Sequence, residues 1–120
     1  MLKRIVIIED DKDLLMLLGR FFRTQGFHVT CLESFTSMEA LIALNADCFI
    51  LDEHLPYVSG HILCILLKSN TITKDIPVVL ISGYEGLEGF VSICKANASL
   101  QKPFETSQLL KIVSGLTSAA

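Results

Sequence analysis

Short apolar runs recur along the chain at Arg4–Ile8, His28–Leu32, Cys48–Leu51, Val78–Ile81 and Ala98–Leu100. Each is followed by a longer stretch of helical period. Between Asp13 and Gln25, residues Leu14, Leu15, Leu17, Leu18, Phe21 and Phe22 form a broad apolar face. Asp11 stands where a helix cap is expected, and Gly26 just past the helix end. Ser37–Leu44, Gly60–Lys68 and Thr106–Leu116 read as further helices, the last striped by Leu109, Ile112, Val113 and Leu116. The Tyr84–Lys95 segment carries Gly86 and Gly89, each costing roughly 0.5–1 kcal/mol against Ala inside a helix. It is expected to be the loosest helix.

Five strand-then-helix units predict an α/β domain: a parallel sheet, helices on both faces and right-handed crossovers. In such sheets ligands sit beyond the carboxyl ends of the strands, where the strand order reverses. Charge gathers at those ends here. "RIVIIEDD" carries Ile5–Ile8 into Glu9, Asp10 and Asp11, and "FILDEHLP" carries Phe49–Leu51 into Asp52, Glu53 and His54. Asp10 and Asp52 are therefore expected together at one sheet edge.

At 120 residues the chain fits one domain, 1–120, with order expected over about 3–116 and a fraying "SGLTSAA" tail. No linker, repeat or low-complexity segment interrupts it. The composition is 51% hydrophobic and 19% charged, less charged than the roughly 25% of typical soluble domains, which leaves room for a partner surface. A net charge of −3 with no basic run beyond Lys3-Arg4 argues against direct nucleic-acid binding. The first apolar run stops at Ile8, and Ile62–Leu67 is far too short to span a bilayer, so a cytoplasmic protein without membrane insertion is expected. Cys31, Cys48, Cys64 and Cys94 lie far apart without a C-x-x-C and read as small buried hydrophobes.

Glu9, Asp10 and Asp52 within a few ångströms would repel one another, and burial would raise the cost of keeping all three ionised. Either some take up protons or a cation sits among them, and a hard oxygen site with open water positions suits Mg²⁺. Lys102, ahead of Pro103, can present an ammonium to phosphate oxygens, and Ser82 offers a hydroxyl donor. The Lys102–Pro103 bond is one at which a cis peptide is affordable. A carboxylate can itself attack phosphorus and form an acyl phosphate. Asp52 is the best candidate, because Glu9 and Asp10 share a helix entry and are better placed as metal ligands. Any one of these acids is equally explained as a turn residue or helix cap; the conjunction of five positions is not.

The stretches "IVIIEDDKDLL", "FILDEHLPYVSG", "VVLISGY" and "LQKPF" together resemble the receiver domain of two-component response regulators, chemotaxis regulators among them, from Arg4 to about Leu116. The resemblance implies a flavodoxin-like, doubly wound five-stranded parallel sheet with five helices and strand order 2-1-3-4-5, an order known from the family's own members. It implies that Asp52 accepts a phosphoryl group from a phosphohistidine on a sensor histidine kinase or histidine phosphotransfer protein. Mg²⁺, or Mn²⁺ in its place, would be held directly by Asp10 and Asp52, by Glu9 through water, and by the main-chain carbonyl of His54. Ser82 and Lys102 would hold the phosphate oxygens and reshape the face formed by the fourth helix, fifth strand and fifth helix. That face would address a downstream effector domain or protein, and a homodimer is compatible with it.

Three departures from the family pattern stand out. Ser99 occupies the place of the aromatic switch residue, so no ring rotates there. Tyr57 replaces a glycine, making a positive φ less comfortable. "KANAS" at 95–99 replaces the more usual Gly-Ala-Asp-Asp and aromatic. His54 and Tyr84, two residues beyond Asp52 and Ser82, flank the acyl phosphate in the family, and their bulk predicts a shielded, long-lived phosphate; the alternative is that both are exposed rim residues. Two other functions compete: a degenerate receiver that only docks, and an aspartyl-phosphate phosphohydrolase. The latter wants a second Asp where His54 stands, so the expected chemistry is not enzymatic beyond self-phosphorylation and autodephosphorylation. His28 and His61 read as ordinary surface or partly buried histidines.

Overall fold

The computed structural model describes residues 1–83 and 87–118, with the backbone alone for residues 87 and 88. The elements alternate as predicted. In chain order they are β1 (Arg4–Ile8), α1 (Lys12–Thr24), β2 (His28–Leu32), α2 (Met38–Ile42), β3 (Cys48–Asp52), α3 (Gly60–Ser69), β4 (Val78–Ser82), α4 (Leu87–Cys94), β5 (Ala98–Gln101) and α5 (Thr106–Thr117). All neighbouring strands pair in parallel, in the order β2-β1-β3-β4-β5.

Strand side chains point alternately to the two faces, and both faces are covered. Ile5, Ile7, Cys48, Ile50, Val79 and Ile81 pack with Leu15, Leu18 and Phe22 of α1 and Leu109 and Val113 of α5. On the opposite face Val6, Ile8, Phe49, Leu51, Val78 and Leu80 pack with Leu41 of α2, Leu63, Cys64 and Leu67 of α3, and Cys94 of α4. Cys48, Cys64 and Cys94 are buried and Cys31 half-buried, all as free thiols.

The helix signals are those expected at α1. Asp11 accepts the backbone N–H groups of Asp13 and Leu14, and Gly26 follows the C-cap with φ 91°. Elsewhere the bounds move. α2 is shorter than Ser37–Leu44 because Ser37 is its cap rather than its first turn, accepting from Ala40 N–H, and because Ala43 closes it just before Asn45 turns at φ 52°. β3, β4 and β5 each run one residue beyond the apolar run that marks them, onto Asp52, Ser82 and Gln101. Those polar residues still belong to the ladder.

Candidate phosphoacceptor site

Register brings the polar strand ends together. Ile8 lies opposite Leu51, which sets Glu9 level with Asp52; Asp52 lies opposite Ile81, one residue before Ser82; and Ser82 lies opposite Gln101, one residue before Lys102. Two ladder-like bonds extend this edge: Glu53 N–H donates to Ile81 O at 2.8 Å, and Lys102 N–H to Ser82 O at 2.7 Å. The edge is where β1 and β3 diverge toward opposite halves of the sheet, the position at which doubly wound sheets bind ligands.

Glu9, Asp10 and Asp52 each bring one carboxylate oxygen into a group in which all lie within 4.8 Å of one another. Glu9 and Asp52 are buried, whereas Asp10 is exposed. Lys102 Nζ reaches into the group, 3.1 Å from Asp52 Oδ1 and 3.3 Å from Glu9 Oε2. Glu9 Oε1 also accepts Asp11 N–H at 3.1 Å. Ser82 is buried at the adjacent strand end. The Lys102–Pro103 peptide bond is cis.

The site is electrostatically strained. Burial, followed by repulsion from Asp52, pushes the Glu9 carboxyl from its ordinary 4.5 up to about 7, against the opposing pull of Asp11 N–H and Lys102. Burial likewise raises the Asp52 carboxyl, reinforced by Asp10, although Lys102 and the His54 N–H favour its charged form. Burial on its own would lower the Lys102 ammonium, but the hydrogen bond and charge of Asp52, with Glu9 behind it, outweigh this and raise it. One ammonium thus faces the carboxylates of Asp52 and Glu9, with Asp10 in the same acidic group. The donor set is all oxygen, partly dehydrated and open to water at Asp10, which fits a hard divalent cation.

Among the described residues, His54, Ser99 and Tyr57 are the further sequence-predicted positions to set against this cluster. His54 is exposed beside it, and Ser99 is half-buried on β5 opposite Leu80. Tyr84 lies outside the described residues. Tyr57 does take the unfavourable conformation, at φ 71° and 99% exposed.

Glu53 and His61 were not singled out by the sequence. Glu53, directly after Asp52, is buried; its carboxylate accepts His61 N–H at 2.8 Å and His61 Nδ1–H at 2.6 Å. The available signal was a carboxylate at a strand end with a histidine in the first turn of the next helix, which is too common a pattern to act on.

A family model of the response regulator receiver domain matches residues 5–114. The chain belongs to the response regulator receiver family. The response regulator protein TmoT of Ectopseudomonas mendocina is 33% identical over 109 residues, covering 88% of this chain and 49% of TmoT. This chain therefore spans about half the length of that relative. A response regulator receiver domain protein (CheY-like) from Methanospirillum hungatei JF-1 superposes with TM-score 0.86 at 26% identity, covering 97% of this chain and 94% of its own. The receiver domain of sensor histidine kinase PA1611 from Pseudomonas aeruginosa PAO1 has the same fold, with TM-score 0.88 at 17% identity, covering 99% of this chain and 100% of its own. That structure holds a magnesium ion coordinated in its active site cleft. Among the described residues of this receiver domain, no helix is long and apolar enough to cross a membrane.

Proposed function

We propose that this receiver domain takes a phosphoryl group onto Asp52 from a phosphohistidine of a sensor histidine kinase or histidine phosphotransfer protein. The observation that carries the reading is the buried Asp52 carboxylate with Lys102 Nζ at 3.1 Å and the oxygens of Glu9 and Asp10 beside it. A carboxylate oxygen of Asp52 attacks phosphorus, the new O–P bond replaces the donor's N–P bond, and the imidazole leaves with the electron pair. Lys102 exchanges its Asp52 partner for a phosphoryl oxygen, so its charge stays neutralised throughout. Ser82, at the end of β4, supplies a hydroxyl to another phosphoryl oxygen. Glu9, Asp10, Asp52 and the main-chain carbonyl of His54 would hold Mg²⁺ or Mn²⁺, which when bound supplies charge neutralisation for the phosphoryl oxygens.

The domain is not a turnover enzyme in this reading; its chemistry is its own phosphorylation and dephosphorylation. The α4–β5–α5 face changes with phosphorylation and addresses a downstream effector domain or protein, and it works in the cytoplasm. The docking-only alternative loses support because the acidic cluster and Lys102 converge intact. Intact mass after incubation with acetyl phosphate tests the proposal: one phosphoryl adduct with Mg²⁺, little with EDTA and none in Asp52→Asn supports it. Equal adduct in wild type and Asp52→Asn overturns it.

A further inference from the structure

The peptide that carries Asp52 is bolted to the start of α3. Gly60 N–H donates to Glu53 O at 3.0 Å, and a Cβ on Gly60 would collide with the Asp52 carbonyl oxygen. The Glu53 carboxylate then does what a cap residue normally does. Ser59, at the N-cap of α3, makes no side-chain cap hydrogen bond, and the N–H of His61 goes to Glu53 Oε1 instead. Glu53 Oε2 holds the His61 ring through Nδ1, with Ser59 Oγ 3.2 Å from the same nitrogen. This fixes the plane of the imidazole.

That plane lies against α4. The His61 and Phe90 rings stack with centroids 4.4 Å apart and an interplanar angle of 17°. Phe90 belongs to the first half of α4, the half nearer the strand ends. A polar link between the two helices, Cys64 Sγ to Cys94 O at 3.3 Å, lies at the far end of α4. A continuous path therefore runs from Asp52 through Glu53 and His61 to Phe90, made of one peptide bond, two charge-assisted hydrogen bonds and one ring stack. Each link is directional, so a displaced Asp52–Glu53 peptide displaces the ring on which α4 rests.

We infer that Glu53 and His61 are positioning residues that transmit the state of Asp52 to α4 through the His61–Phe90 stack. This rests on Asp52 being the phosphoacceptor. The pair does not touch phosphorus; it sets where α4 sits when the site is loaded and when it is not.

The test is amide hydrogen exchange of the segment 87–94 in the full chain, with and without beryllofluoride and Mg²⁺ as the acyl-phosphate mimic. Phosphorylation by acetyl phosphate is followed by intact mass in parallel. In His61→Ala the loading-dependent change in α4 exchange is expected to fall about threefold or more, while the Asp52 adduct still forms. His61→Phe keeps a ring for Phe90 but loses the bond to Glu53, and is expected to lose the response too; it decides the matter should His61→Ala fail to fold. A variant that forms the adduct and keeps the full α4 response overturns the inference. So does a faster α4 baseline with the loaded-minus-unloaded difference unchanged, which is what mere packing would give. No adduct in wild type instead overturns the phosphoacceptor reading on which the path depends.

Discussion

Lys102 Nζ and Asp52 Oδ1 stand 3.1 Å apart, joining the end of β5 to the end of β3 across β4. The pair sits where a carboxylate would have to carry new negative charge. Lys102 lowers the cost of ionising Asp52, and in the proposed transfer it would go on to offset the phosphoryl oxygens. Lys102→Ala should slow adduct formation from acetyl phosphate by about 10²-fold, the usual scale for losing a preorganised charge partner. A time course of intact mass measures it.

Glu9 makes stability depend on pH in an unusual direction. Its carboxyl titrates near 4.5 unfolded and about 7 folded. Below 4.5 both states are protonated and there is no penalty. Between the two values the folded chain holds a proton that the unfolded chain has lost, so stability falls as pH rises. Above about 7 the full cost of order 3 kcal/mol is present, at about 1.4 kcal/mol per pKa unit. Without divalent cations, Glu9→Gln is expected to be more stable than wild type at about pH 8 and nearly equal at about pH 4. Urea unfolding at both pH values checks this, and added Mg²⁺ should narrow the gap by stabilising wild type.

Gly60 is required by a close approach rather than by φ. A Cβ there would also fall within 2.9 Å of Asp52 C and Glu53 Cα, both backbone atoms. The backbone has nowhere to yield without moving the acceptor. Gly60→Ala is expected to cost roughly 1–3 kcal/mol, the usual range for overpacking, and to slow phosphorylation by shifting Asp52. Thermal unfolding and the adduct time course measure the two effects separately.

Most of the site was legible in the sequence because it depends on strand ends. A polar residue that ends an apolar run, or follows within two residues of it, emerges at the carboxyl edge of a parallel sheet, so Glu9, Asp10, Asp52, Ser82 and Lys102 could be gathered from the pattern alone. Bounds were less legible: Asp52, Ser82 and Gln101 end the apolar pattern but not the hydrogen-bond ladder. The Glu53–His61–Phe90 path was not legible, because it depends on how α3 meets β3 and on which ring of α4 faces it. Position 57 was marked by the resemblance as one where glycine is usual, but that Tyr57 would keep the positive φ of 71° without glycine's freedom depends on the turn rather than on the pattern.

His54 is exposed at the rim of the site, and Tyr84 is its expected counterpart. If their bulk keeps water from the acyl phosphate, replacing both with Ala shortens the adduct's half-life. Decay of the adduct mass after removal of acetyl phosphate gives the answer, and an unchanged half-life counts against shielding.

In the proposed chemistry one carboxylate, that of Asp52, becomes an acyl phosphate. Borohydride reduces an acyl phosphate to an alcohol, so reduction of the phosphorylated protein followed by peptide mass spectrometry reads out the acceptor. Homoserine is expected at position 52, with no other acidic side chain reduced to its alcohol, dependent on prior acetyl phosphate and Mg²⁺. Homoserine at position 10, 5-hydroxynorvaline at position 9, or a stable adduct on His54 with Asp52 unchanged would contradict it.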